Sequence, residues 1–278
     1  MRKLTAAICG IFVLILIICF TASHNNQVIA GNESDEYEYE YYYSDTDNKE
    51  DSMNSISVSD EPLTKESPII DTEPESITVF VNKEYSLPDD YVPSDLTRPA
   101  VRFYGSYSDD KRYLRKKAAA ALEDMFSAAE KDGVILYGVS GYRSYDRQKE
   151  IYNNNIVQRG STATNKVSAA PGHSEHQTGL AIDISNASLG CTLSEEFGES
   201  KEGRWVAKHC AKYGYIIRYP KNMQKITGYS YEPWHIRYVG KKAAAYISQN
   251  KITFEEYFGY TPSFSYESDI ISDIKVNP

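Results

Sequence analysis

Apolar and polar positions divide the chain into three regimes. Residues 4–22 form a nearly unbroken apolar run behind Arg2 and Lys3, long enough to cross a hydrocarbon core as a helix. Residues 33–75 carry almost no aliphatic pattern and include the run Tyr37-Glu38-Tyr39-Glu40-Tyr41-Tyr42-Tyr43. Such a segment cannot bury enough apolar surface to offset chain entropy, so it is expected to be a disordered, self-repelling spacer. Beyond it, strand and helix periods set in. Ile77-Thr78-Val79-Phe80-Val81 reads as a short strand, followed by an arm punctuated by Pro88, Pro93 and Pro99. Ser108 reads as the N-cap of a helix with Asp109 and Asp110 in its first turn, an Ala-rich body at 118–121 and Gly133 as its stop.

The remaining pattern is a strand over 134–139, then a helix capped by Ser144 that carries Gln148 and ends near Gly160. Residues 180–184 alternate, with Asp183 facing away from Leu180 and Ile182. A helix over 203–213 stops at Gly214, strands follow at 215–218 and 235–239, and a helical pair covers 241–258. Helices early and strands late, with no regular βαβ repeat, predict an α+β fold: a small, mostly antiparallel sheet flanked by helices in a single catalytic domain. The expected organisation is a signal peptide or signal anchor over 1–24, an acidic linker over 25–75, the domain over 76–260 and a tail over 261–278. Retention of the apolar run as an anchor is favoured over cleavage, because the small-residue exit near Thr21 is only fair. A lipoprotein reading at Cys19 is weak, since Ile18 before it is not small.

Composition sharpens this in two places. The 278 residues are 41% hydrophobic and 25% charged, enough for one ordinary core plus ancillary segments. The net charge of −9 is uneven: residues 33–75 hold 15 acidic residues against Lys49 and Lys65, a net −13. The rest of the chain is slightly basic, so the acidity describes a tether and says nothing about the binding preference of a cleft. There is no basic stripe with interleaved aromatics, which argues against a nucleic-acid partner. Cys9 and Cys19 lie in the apolar run; Cys191 and Cys210 are either an extracellular disulfide or two separate buried thiols.

Three short segments concentrate site-type residues: 140–144 (Ser-Gly-Tyr-Arg-Ser), 174–183 (Ser-Glu-His-Gln-Thr-Gly-Leu-Ala-Ile-Asp) and 232–235 (Glu-Pro-Trp-His). A lone histidine is most often structural. Together, however, His176, Asp183 and His235 meet the needs of a catalytic zinc, which takes three nitrogen or carboxylate ligands and keeps a fourth position open. Glu232, three residues before His235, is near enough to act as a base without being a ligand. His173 is the rival ligand in the same loop, His209 reads as half-buried helix structure, and His24 lies outside the domain.

These segments resemble the VanY-type D-alanyl-D-alanine carboxypeptidases, zinc enzymes grouped with VanX-like dipeptidases and L,D-carboxypeptidases. The resemblance rests on Ser-x-His-x-x-Gly-x-Ala-x-Asp followed by Glu-x-Trp-His, on 140–144, and on the arm from Val81-Asn82-Lys83 to Pro93. It implies zinc held by His176, Asp183 and His235, a base at Glu232, and substrate contacts at Arg143, Gln148, Ser174 and Tyr219. A guanidinium suits either a terminal carboxylate or an oxyanion, because it stays charged and presents forked donors, and Arg143 is the candidate. The implied activity is hydrolysis of the terminal D-alanyl-D-alanine bond of peptidoglycan stem peptides. The N-terminal apolar run places the expected setting at the outer face of the bacterial membrane or in the cell wall, with membrane contact through that segment only; the oligomeric state is not visible in the sequence, and a monomer is the default expectation.

Two alternatives stay open. An L,D-carboxypeptidase acting on tetrapeptide stems would share every zinc and base residue. A non-catalytic wall-binding module with a structural zinc would more usually carry four protein ligands.

Overall fold

The computed structural model describes residues 68–105 and 110–264. The N-terminal apolar run, most of the acidic segment and the last 14 residues, 265–278, lie outside the described residues, as do Ser108 and His24. Among the described residues no helix is long and apolar enough to cross a membrane.

A two-stranded antiparallel ladder pairs β1 (Leu96–Thr97) with β2 (Leu114–Arg115). It leads into α1 (Lys116–Lys131). The central sheet has the order β3 (Tyr137–Ser140), β4 (Ala181–Ser185), β6 (Glu232–Tyr238), β5 (Tyr215–Tyr219), antiparallel throughout. Between β3 and β4 run α2 (Tyr145–Arg159), α3 (Ser161–Val167) and a single 3-10 turn, Glu175–Thr178. Between β4 and β5 lie α4 (Glu196–Glu199) and α5 (Lys201–His209), and α6 (Gln224–Thr227) precedes β6. The chain then forms α7 (Lys241–Asn250) and α8 (Phe254–Tyr257). This is the mixed helix and antiparallel-sheet architecture of the α+β class.

Alternation along the strands sorts side chains into two cores. Leu180, Ile182, Ile184 and Ile236 pack with the buried stripe of α1 (Ala118, Leu122, Met125, Ala129) and with Trp205 and Val206 of α5. On the other side, Ile216 and Val239 pack with Ala243, Ala244 and Ile247 of α7, with Phe254 of α8 and with Phe80. Packing across both faces explains why the middle of the sheet is almost wholly buried.

Two sequence expectations are corrected and one open alternative is decided. Residues 77–81 are not a strand. Val79 and Val81 enter one core while Phe80 enters the other, so the segment is buried without a ladder partner and its polar backbone needs other partners. Arg237 Nη2 donates to the carbonyls of Ile77 and Val79 at 3.3 and 2.8 Å, and the Phe80 N–H reaches Asp71 O at 2.7 Å. The first long helix starts at Lys116 rather than near Ser108, because residues 114–115 are taken by the β1 ladder and Asp110 instead opens a short 3-10 turn. Cys191 and Cys210 are separate, buried free thiols, and burial pushes the Cys210 thiol up to about 12. By contrast, Ser144 does cap α2, its side chain accepting from Arg147 N–H, and Gly214 does stop the helical stretch after Tyr213 in a left-handed conformation.

The turn from Glu175–Thr178 into β4 requires a glycine. Gly179 has φ +66°, and a Cβ there would lie 2.9 Å from Leu96 Cδ2 and 3.0 Å from Arg115 Cγ. Gly179→Ala is expected to lower unfolding free energy by about 1–3 kcal/mol through the left-handed backbone and the displaced neighbours. Denaturant titration checks this, and a loss below about 0.5 kcal/mol, the scale of an ordinary surface substitution, would contradict the tight-turn account.

Candidate metal centre and active site

Strand register assembles the site. Asp183 on β4 stands directly opposite His235 on β6, so their side chains share a face. His176 arrives from the turn Glu175–Thr178 that Gly179 terminates. His176 Nε2 lies 3.3 Å from Asp183 Oδ2, and His235 Nδ1 lies 3.0 Å from Asp183 Oδ1. One ligand atom from each residue falls within 4.8 Å of the others, and all three side chains are buried. The outer ring nitrogens are also engaged: His176 Nδ1 is 2.8 Å from Gly141 O, and His235 Nε2 is 3.2 Å from Glu175 Oε2. Two imidazoles and a carboxylate, each ring anchored from behind, fit the donor set and outer shell of a catalytic zinc.

Electrostatics follow from enclosure. Burial opposes charge on Asp183, yet His176 and His235 outweigh it and hold the carboxyl well below the usual range. Burial lowers the His176 pKa, with Asp183 opposing. Burial also disfavours charge on His235, but hydrogen bonds to Asp183 and Glu175 prevail and move it up to about 9.

Glu232 enters by a bulge. Between the pairs Ile217↔Ile236 and Tyr219↔Glu232, β5 advances two residues while β6 advances four. Residues three apart would point to opposite faces of a flat strand, but this irregularity lets Glu232 and His235 line the same cleft of about 220 Å³. Burial raises the Glu232 pKa to about 7, with His235 and Arg143 opposing and Asp183 adding to the rise. A larger groove of about 460 Å³ lies between residues 68–73 and α8, and it shares none of these residues.

Arg143 lines the cleft with two donors already fixed, Nη1 to Gln148 Oε1 at 2.9 Å and Nη2 to Ser140 Oγ at 3.1 Å. Gln148 is 1% exposed, and its Nε2 donates to Ala169 O at 2.6 Å, so both ends of the amide are occupied within the protein. Ser174 occupies the N-cap position of the turn before His176, without a side-chain capping bond, and borders the cleft. The Tyr219 ring lies 5.0 Å from that of His235 and 4.6 Å from Tyr229. The eight residues singled out from the sequence therefore surround one cleft. His173 does not join them, as its Nδ1 contacts Asn82 O at 2.8 Å. His209 stacks on Trp205 at 4.6 Å.

Sequence reasoning missed Tyr229, whose buried hydroxyl has no partner among the described residues. It also missed Glu175, Arg218, Arg237 and Glu255, all at most 1% exposed. The available signal was a charged residue standing inside otherwise apolar strands, at 218 and 237.

Comparison with known proteins shows the family to which this fold belongs. The profile of the VanY D-alanyl-D-alanine carboxypeptidases matches residues 111–241. YodJ of Bacillus subtilis (strain 168) is 56% identical over 185 residues, covering 66% of this chain and 68% of that protein. The chain belongs to the VanY family. Among solved VanY-like structures, the LdcB LD-carboxypeptidase aligns with TM-score 0.65 and 54% identity, over 68% of this chain and 88% of that one. A variant of the VanY D,D-pentapeptidase from a VanB-type resistance cassette, solved with Zn(II), aligns with TM-score 0.56 and 32% identity over 67% of this chain and all of that one. This VanY-family chain is thus a carboxypeptidase of the peptidoglycan stem-peptide type.

Because Gln148 clips Arg143 in place, Gln148→Ala is expected to lower kcat/KM on a stem peptide by roughly tenfold, the worth of one hydrogen bond to a charged group. Steady-state kinetics beside a melting curve checks this, and unchanged kcat/KM would remove Gln148 from any role in orienting Arg143.

Proposed function

We propose that this chain is a zinc-dependent carboxypeptidase that hydrolyses the last peptide bond of a peptidoglycan stem peptide and releases D-alanine. The convergence of His176, Asp183 and His235 beside Glu232, a carboxyl raised to about 7, carries the proposal. Zinc bound by those three residues supplies a Lewis acid that polarises a carbonyl and acidifies water. Glu232 accepts the proton of the attacking water on a carboxylate oxygen and returns it to the leaving amine. Burial, which raises its pKa in the metal-free protein, eases uptake of that proton. Arg143 holds the substrate's terminal carboxylate or the developing oxyanion. Ser174 and Tyr219 border the bound peptide.

The D,D bond is the first reading, in keeping with the VanY profile. A specific observation favours the L,D alternative: identity to the LdcB LD-carboxypeptidase is 54%, against 32% to the D,D-pentapeptidase. In either case the chain works on the outer face of the membrane or in the cell wall, carried there by residues 4–22, and as a monomer.

Mass analysis of products from a defined stem pentapeptide and tetrapeptide, with and without chelator, tests the reading. Loss of one alanine from the pentapeptide supports D,D cleavage, loss from the tetrapeptide supports L,D cleavage, and turnover that persists in chelator overturns the zinc reading. Glu232→Gln should retain zinc while losing at least about 10²-fold in kcat, and His176→Ala should lose both. Only ionised Glu232 can accept a proton, so kcat/KM should fall as pH drops through its pKa. A bound cation stabilises the ionised form, which places the midpoint of that limb between the ordinary 4.5 and about 7. A pH–rate profile flat from pH 4.5 to 7 would count against Glu232 as the base.

A further inference from the structure

Beneath the metal centre lies a buried network of four charges that the mechanism above does not use. Arg218 on β5 donates through both terminal nitrogens to Glu255 of α8, at 2.7 and 2.8 Å, and through Nε to Glu175 Oε1 at 2.8 Å. Arg237 on β6 donates Nη1 to the same Glu175 oxygen at 2.9 Å. The other oxygen of Glu175 is left for His235 Nε2, at 3.2 Å. Two guanidiniums on one oxygen hold Glu175 as a carboxylate, and a carboxylate can only accept at Nε2. With Nε2 held as the donor to Glu175, Nδ1 is the ring nitrogen left to face an ion beside Asp183.

We propose that Glu175 is a positioning residue for the metal centre: by accepting the Nε2 proton of His235 it fixes the tautomer and tilt that present Nδ1 to the ion held with His176 and Asp183. The arrangement is economical in sequence, since neighbouring residues of one turn carry a ligand (His176) and the support of another ligand (Glu175). Arg237 and His235 are two apart on β6 and share a face, which is why one carboxylate spans both. Glu255 fixes the far end, because its bidentate grip on Arg218 sets where the Nε donor points.

The inference rests on the zinc reading above, and its test separates the two. Glu175→Gln alone would leave two buried guanidiniums facing one carboxylate, a strongly destabilising imbalance. Two charge-balanced double variants of the full-length protein avoid it. E175M/R237Q removes the acceptor beneath His235, whereas E255Q/R237Q removes the same number of charges but keeps Glu175 beneath the ring, held by Arg218. Zn(II) affinity is measured by competition with a chromophoric chelator, and the visible spectrum of the Co(II)-loaded protein reports the ligand field. E175M/R237Q is expected to bind Zn(II) about 10–100-fold more weakly than wild type, the usual range for loss of an outer partner of a ligating histidine, with a shifted Co(II) spectrum. E255Q/R237Q is expected to stay within about threefold of wild type with an unchanged spectrum. Equal affinity and spectra in the two doubles would overturn the positioning role and leave Glu175 as a counter-charge only. A wild-type chain that takes up no Zn(II) would overturn the zinc reading, and this proposal with it.

Discussion

The register between β4 and β6 is the constraint on which the rest of the structure depends. Because side chains alternate with period two, a slip of one residue would send Asp183 and His235 to opposite faces and exchange the site with the core. What holds the register is ordinary packing: Ile182 faces Ile236 in the same ladder, and both are fully buried against α1. The apolar face of the sheet thereby sets the geometry of its polar face. The β6 bulge then adds what a regular ladder could not, a carboxylate three residues from His235 in the same cleft.

The buried charges belong to the same logic. Four ions withdrawn from water are a weak source of stability, since desolvation offsets most of their attraction. Their value lies in direction. Arg237 takes up the carbonyls of Ile77 and Val79, which have no ladder, while also contacting Glu175. Arg218 joins Glu175 to α8, whose first turn is fixed by the capping box of Thr253 and Glu256. One network thus ties the N-terminal arm, the last helix and the turn bearing His176 to two adjacent strands. The fold is closed at both chain ends of its described body by the same groups that border the metal centre.

The zinc-type residues were legible in the sequence because each sits in a dense local motif with glycine or proline beside it, and the motifs report backbone demands as well as chemistry. The charge network was not legible. Glu175, Arg218, Arg237 and Glu255 come from four distant segments, and a lone Arg or Glu in sequence resembles surface charge until the fold brings it to its partner. The strand expected over 77–81 failed for a related reason. Three consecutive buried apolar residues suit a strand when backbone partners are strands, but here Arg237 and Asp71 supply those partners, and nothing local encodes them. The late start of α1 has the same origin, a ladder with β1 claiming residues that otherwise read as helix.

The two sides of the cleft are built to different standards, and that bears on why one metal motif serves more than one specificity. The metal side is braced from several directions: Leu87 N–H bonds Gly172 O, Gln177 Nε2 bonds the carbonyls of Pro88 and Tyr91, and His173 meets Asn82 O. The opposite wall is carried by α2 and α3, where only Gln148 and Thr164 are buried. Few core contacts restrain this wall, so substitutions along it alter the cleft without a large loss of stability. Ile151, Asn155 and Val167 project from it into the cleft lining. Chemistry that needs fixed ligands is thus placed on the braced side, and the opposite wall is free to vary without disturbing them.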